Sequence, residues 1–116
     1  MTVTRRQVGD VVVLDLVGDL TLGSATGRLR DGVIDALQTS SKVVLNLAGL
    51  GYMDSSGLGE MVGAYTTVSG RGGTLKLLNP QKKLTDLLGL TRLYTLFEIY
   101  DDEAAATASF GQAAGA

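Results

Sequence analysis

The residues best placed to do chemistry are Asp54, Ser55 and Ser56. They lie in the run Leu47-Ala48-Gly49-Leu50-Gly51-Tyr52-Met53-Asp54-Ser55-Ser56-Gly57-Leu58-Gly59. An apolar segment precedes them and an amphipathic one follows. The hydroxyls therefore fall at the mouth of a strand–loop–helix unit. Two readings apply. Asp and Ser are favoured just before a first helical turn, because their oxygens accept backbone N–H groups that have no other partner. Only one capping position exists, however, so one residue can cap while a serine hydroxyl points outward. A phosphate there would meet free N–H groups and the positive end of the helix, and the fold would tolerate it. It would add about −1.5 to −2 of charge to the surrounding surface. Ser55 is thus a candidate phosphorylation switch that acts on a partner and not on the fold.

Other chemistries find less support. The chain has no cysteine and no histidine. That excludes disulfides, thiol nucleophiles, Cys/His metal sites and Ser–His triads. Gly57-Leu58-Gly59-Glu60-Met61-Val62-Gly63 has the spacing of a dinucleotide-binding variant. The next strand, though, ends Leu78-Asn79 without a carboxylate for a ribose, and no second half completes a cofactor crevice. Gly59 and Gly63 read better as a small-residue stripe that admits the sheet or a docked partner. Asp15 alternates within a strand and should face solvent. Asp31 and Asp35 read as a solvated helix face, and Asp101-Asp102-Glu103 as helix capping. Arg5-Arg6 and Lys82-Lys83 read as solvated surface. Met53 suits the core, and Tyr52 suits either packing or a contact surface. No catalytic set, metal site or cofactor is expected.

Nine elements must position the serines. Val3 to Val8 and Val11 to Val17 are strands joined by a Gly9-Asp10 hairpin turn. Gly18 to Gly23 reads as a loop, with Ser24 capping a helix from Ala25 to about Gln38. Leu29, Val33, Ala36 and Leu37 form its apolar face. Val43-Val44-Leu45-Asn46-Leu47 suits a central strand covered on both faces. The helix after Asp54 carries Leu58, Met61, Val62, Tyr65 and Val68, and Gly70-Arg71-Gly72-Gly73 ends it. Thr74 to Leu78 is a strand. Asn79-Pro80 reads as the cap and first residue of a helix that Gly89 closes. Thr95 to Tyr100 is a last strand, and Glu103 to about Phe110 a last helix. A hairpin followed by alternating helices and strands predicts a mixed sheet with parallel βαβ crossovers.

The chain has 116 residues, enough for one compact domain. Hydrophobic residues make up 45% and charged residues 19%, which favours a folded globule over disorder. No apolar run approaches the roughly 20 residues that span a bilayer. The N-terminus lacks the apolar core of a signal peptide, so a cytoplasmic location is the expectation. A net charge of −2 gives no footprint for nucleic acid.

These pieces together resemble the STAS domain, in particular bacterial anti-sigma factor antagonists. The resemblance covers about Val3 to Phe110 and is strongest from Val43 to Gly59. Gly18-Asp19-Leu20 with Leu29-Arg30, Leu75-Lys76-Leu77-Leu78-Asn79-Pro80, and Phe97-Glu98-Ile99-Tyr100-Asp101-Asp102-Glu103-Ala104-Ala105 add to it. Two positions depart from the family pattern: Thr21 and Asn46 stand where Asp is frequent. The resemblance implies an α/β fold: one STAS domain over 3–110, with 111–116 a frayed tail. Its sheet would be mixed and four- to five-stranded, with about four helices mainly on one face. It implies a non-enzymatic protein that binds an anti-sigma factor and releases the sigma factor. That partner would be a serine kinase of the GHKL type, which phosphorylates Ser55 and so dissociates the complex; a serine phosphatase would reset it. Asp19, Thr21, Tyr52, Asp54, Ser56, Gly57 and Leu58 would form the partner surface. The alternatives are a STAS scaffold in a stress-signalling or lipid-transport assembly, with no phosphorylation, and a nucleotide-binding enzyme built on the glycine-rich turn.

Overall fold

The hairpin turn at Gly9-Asp10 fixes one edge of the sheet. Gly9 adopts φ +62°, and β1 (Thr2–Val8) returns as β2 (Val11–Leu20) in antiparallel register, Val8 against Val11. The remaining strands, β3 (Lys42–Met53), β4 (Thr74–Leu78) and β5 (Glu98–Tyr100), add in parallel in the order β1-β2-β3-β4-β5. Helices α1 (Ser24–Leu37), α2 (Ser55–Gly70) and α3 (Lys82–Thr91) make the crossovers. Each crossover steps one strand in the same direction. With right-handed connections, all three helices must then fall on one face. The computed structural model describes residues 1–115, and the side chains of residues 1–110.

The main core lies between that face and the three helices. Leu14, Leu16, Leu45, Leu47 and Leu77 of the sheet meet Leu29, Val33, Met61, Val68 and Leu88 of the helices, all fully buried. Helix α4 (Glu103–Gly115) crosses to the opposite face, where Ala106 and Phe110 cover Val11, Val13, Val44 and Leu78. Covering on both faces explains the apolar run Val43-Val44-Leu45 in β3 and the burial of Leu75, Lys76, Leu77 and Leu78 in β4. No helix among the described residues is long and apolar enough to cross a membrane.

Several boundaries differ from the sequence expectation. The segments read as loops after Val17 and after Leu47 are strand. Val17, Gly18, Asp19 and Leu20 of β2 pair with Gly49, Leu50, Tyr52 and Met53 of β3. The register slips twice, each time with one extra residue in β3, so the strand bulges and twists. Gly49 permits this, since a Cβ there would stand 2.9 Å from Val17 Cγ2 and 3.0 Å from the Leu16 carbonyl. Gly23, not Ser24, occupies the cap of α1. Asn79-Pro80 does not open α3: Asn79 turns left-handed at φ 53°, and the helix starts after Gln81. Gly89 does not close it either; the helix runs to Thr91 and Arg92 takes the left-handed position. β5 is only three residues long, with a 3₁₀ turn at Leu93–Thr95 before it. α4 extends past Phe110 to Gly115, so the segment expected to fray falls in this extension, and Ala116 lies outside the described residues.

Arg5 is exposed, as expected, whereas Arg6 and Asp15 are half-buried. Arg5 pairs with Asp35 of α1 at 2.8 Å. Arg6 bridges Asp15 of β2 and Glu103 of α4, each at 2.5 Å, and so fastens the start of α4 to the sheet. Lys76, only 3% exposed, sits beneath α4. Its Nζ donates to Ser109 Oγ at 2.6 Å and lies 4.5 Å from the Phe110 ring.

Candidate functional site

The double bulge carries β3 past the end of β4. The last strand pair of β3 with β4 is Asn46 with Leu78, whereas its pairing with β2 continues to Met53. The chain then turns directly into α2. Asp54 is the cap residue, with extended backbone at φ −94° and ψ −176°. Its Oδ1 accepts from the Gly57 N–H at 2.8 Å, and its Oδ2 accepts from the Leu22 N–H at 3.1 Å. These bonds, the Gly57 one foremost, hold the Asp54 carboxyl below the usual carboxylate range, against a smaller upward push from desolvation.

Because Asp54 caps the helix, neither serine has to. Ser55 is the first residue of α2 and is exposed; Ser56 is half-buried. Among the described residues neither hydroxyl has a hydrogen-bond partner. The Ser55 hydroxyl stands at the positive end of a sixteen-residue helix. Gly57 and Leu58, expected on the partner surface, are buried instead. A Cβ on Gly57 would stand 2.0 Å from the Leu20 carbonyl oxygen, so only glycine lets α2 rest on the end of β2. Leu58 packs into the main core.

The other expected contact residues gather at the same end of the sheet. Asp19 and Tyr52 are partners in the β2–β3 ladder. Asp19 is exposed and Tyr52 is 54% exposed. Thr21 follows β2 and is half-buried. Asn46, the second departure, donates to Asp15 Oδ1 at 2.8 Å and accepts from the Ala48 N–H at 3.2 Å. Its amide thereby braces the first bulge and satisfies Asp15, a donation that an ionised carboxylate in its place could not make.

Sequence reading missed Leu22. It projects from the β2–α1 turn with 77% of its surface exposed. The only sequence signal is an apolar letter among turn residues. Gly59 and Gly63 lie on the exposed side of α2, and a Cβ on either would meet nothing within 4 Å. Arg30 of α1 forms a two-pronged ion pair with Glu60 of α2, at 3.0 and 2.9 Å, which ties the two helices together. Among the described residues no cluster of three or more carboxylates could hold a metal ion. The assembled site offers one exposed free hydroxyl, that of Ser55, at a helix N-terminus, flanked by an acidic pair and an exposed aromatic and aliphatic side chain. That arrangement suits modification and docking.

Comparison with known proteins agrees with the fold. The anti-sigma F factor antagonist of Paenibacillus polymyxa is 36% identical over 95 residues, covering 80% of each chain. The crystal structure of TM1081 from Thermotoga maritima superposes with a TM-score of 0.83 at 28% identity, covering 92% of each chain. The Bacillus cell fate determinant SpoIIAA, solved in its phosphorylated form, superposes with a TM-score of 0.71 at 23% identity. That match covers 93% of this chain and 99% of SpoIIAA. Residues 2–106 match the STAS domain model, and the chain belongs to the STAS domain family.

Proposed function

We propose that the protein is an anti-sigma factor antagonist controlled at Ser55. Unphosphorylated, it binds an anti-sigma factor and so releases the sigma factor that the latter held. The anti-sigma factor is also a GHKL-type serine kinase. It transfers the γ-phosphoryl group of ATP to Ser55 Oγ, ADP leaves, and the complex separates. A serine phosphatase hydrolyses the phosphoester and restores the binding form. The protein itself is not an enzyme and works in the cytoplasm.

The observation that carries this reading is the division of labour at the start of α2. Asp54 caps the helix, so the exposed Ser55 hydroxyl is free to accept a phosphoryl group without loss of a fold contact. Asp19, Thr21, Tyr52 and Ser56 surround it as the contact surface, while Gly57 and Leu58 seat the helix from within. A phosphate in that surface brings about two negative charges. About 3 kcal/mol of repulsion and desolvation would weaken binding roughly a hundredfold.

Mass spectrometry after incubation with ATP and the anti-sigma factor kinase of the same genome should locate one phosphate at Ser55. Ser55→Asp should lose capture of that kinase in a side-by-side pull-down with the wild type. An unmodified Ser55, together with undiminished binding by Ser55→Asp, would shift the reading to a STAS scaffold without a switch.

A further inference from the structure

Leu22 contributes little to the fold, yet its backbone is fixed. Its side chain is 77% exposed on the turn between β2 and α1. Its N–H is bound by Asp54 Oδ2 at 3.1 Å. On its other side Gly23 takes φ +118°, a conformation that L side chains rarely adopt, and Thr26 Oγ1 ties the Gly23 carbonyl at 2.8 Å. An aliphatic side chain held out on a braced turn has little backbone freedom left to lose on binding. The same carboxylate that holds Leu22 caps the helix that begins at Ser55. The other strongly exposed leucine, Leu90, lies in the last turn of α3, which runs antiparallel to the strands and ends at the far end of the sheet.

We infer that Leu22 is the apolar anchor of the partner interface. It seats in an apolar pocket of the anti-sigma factor kinase beside the site that receives Ser55, and Asp54 is the positioning residue that keeps the two in register. This rests on the reading under Proposed function and adds the residue that gives the contact its affinity. It also explains why a phosphate at Ser55 is disruptive. The phosphate would stand at the rim of an apolar contact that must shed water to form.

The test uses the full chain and the anti-sigma factor kinase of the same genome, with binding by calorimetry and steady-state phosphorylation. Leu22→Ser should weaken binding about 10- to 100-fold, the range set by withholding one buried leucine. It should raise KM for phosphorylation in step and leave kcat within about twofold, because the serine and its helix are untouched. Its melting temperature should stay within about 2 °C of wild type, since an exposed side chain contributes little to the fold. Leu22→Met should bind within about threefold of wild type. Asp54→Asn should speed exchange of the Leu22 amide proton and raise KM. If Leu22→Ser binds and is phosphorylated like the wild type, the anchor assignment falls and the switch stands. If the wild type neither binds nor is phosphorylated, the functional reading fails and the anchor with it.

Discussion

Gly57 of α2 lies so close to Leu20 of β2 that a Cβ would stand 2.0 Å from the Leu20 carbonyl oxygen and 2.9 Å from Met53 Cγ. The contact is with backbone at the end of a central strand, which cannot swing aside as a side chain can. Gly57→Ala must therefore push the start of α2 off the sheet. The expected cost is about 3–5 kcal/mol, at the upper end for single substitutions, measured by urea unfolding. The displaced helix start would also release the Asp54–Gly57 bond and misplace Ser55. A cost below about 1 kcal/mol would show that the helix can shift freely.

Gly59 and Gly63 should behave in the opposite way. Both are mid-helix, where glycine loses about 1 kcal/mol relative to alanine. Neither glycine is required sterically, because a Cβ at either position meets open space. Gly59→Ala and Gly63→Ala should each stabilise the protein by about 0.5–1 kcal/mol, raising the melting temperature by about 3–5 °C in calorimetry. A fall in melting temperature would reveal a close contact on that helix face.

The contrast between Gly57 and Gly59 shows how far the sequence could be read. Two letters two positions apart serve unrelated ends, and only the approach of β2 separates them. Val43–Leu47 was legible as a strand because burial on both faces leaves an apolar composition broken only by Asn46. Thr74–Leu78 was legible in spite of Lys76, which lies buried under α4. The ends of β2 and β3 were not. Gly18, Gly49 and Gly51 look like loop residues, yet Gly49 is there because Val17 and Leu16 crowd it. The site was legible at Ser55, where the strand, the acidic cap and the helix are contiguous. It was not legible at Leu22, whose exposure is a property of the folded surface. Nor could any window reveal the clasp of Arg6 on Glu103, separated by 97 positions.

Asn46 gives a prediction with a defined pH dependence. Its Nδ2 donates to Asp15 Oδ1 at 2.8 Å. Asn46→Asp would place a second carboxyl against the first and remove a donor. Like charges this close raise the folded-state value of one carboxyl above its unfolded value of about 3.9. Such a group is least harmful while protonated. The variant should thus be near wild-type stability below about pH 4 and increasingly less stable as the pH rises through that raised value. Urea midpoints at several pH values would show it. A gap between variant and wild type that is the same at every pH would mean that Arg6 absorbs the added charge.

Arg6 governs the acid limit of α4. Its hydrogen bonds are the main cause that holds Asp15 and Glu103 below their ordinary values, and burial opposes them. For a carboxyl lowered in the folded state, the stabilisation is complete above the unfolded value, about 3.9 for Asp and 4.3 for Glu. It is lost as the pH falls through the lower folded value. Asp10 and Asp54 are lowered too, but by Lys42 and by the start of α2, and neither pairs with α4. Among the described residues the helix has few other holds: Ala106 and Phe110 in a small apolar cluster, and the Lys76–Ser109 bond. Its amides should therefore lose protection from hydrogen exchange below about pH 4, before the mid-helix amides Met61–Val68 of α2 do. In Arg6→Gln the α4 amides should already exchange faster at pH 7, and their further loss in acid should be smaller. Simultaneous loss in α4 and α2, in both proteins, would mean that α4 is held by its apolar contacts and not by the clasp.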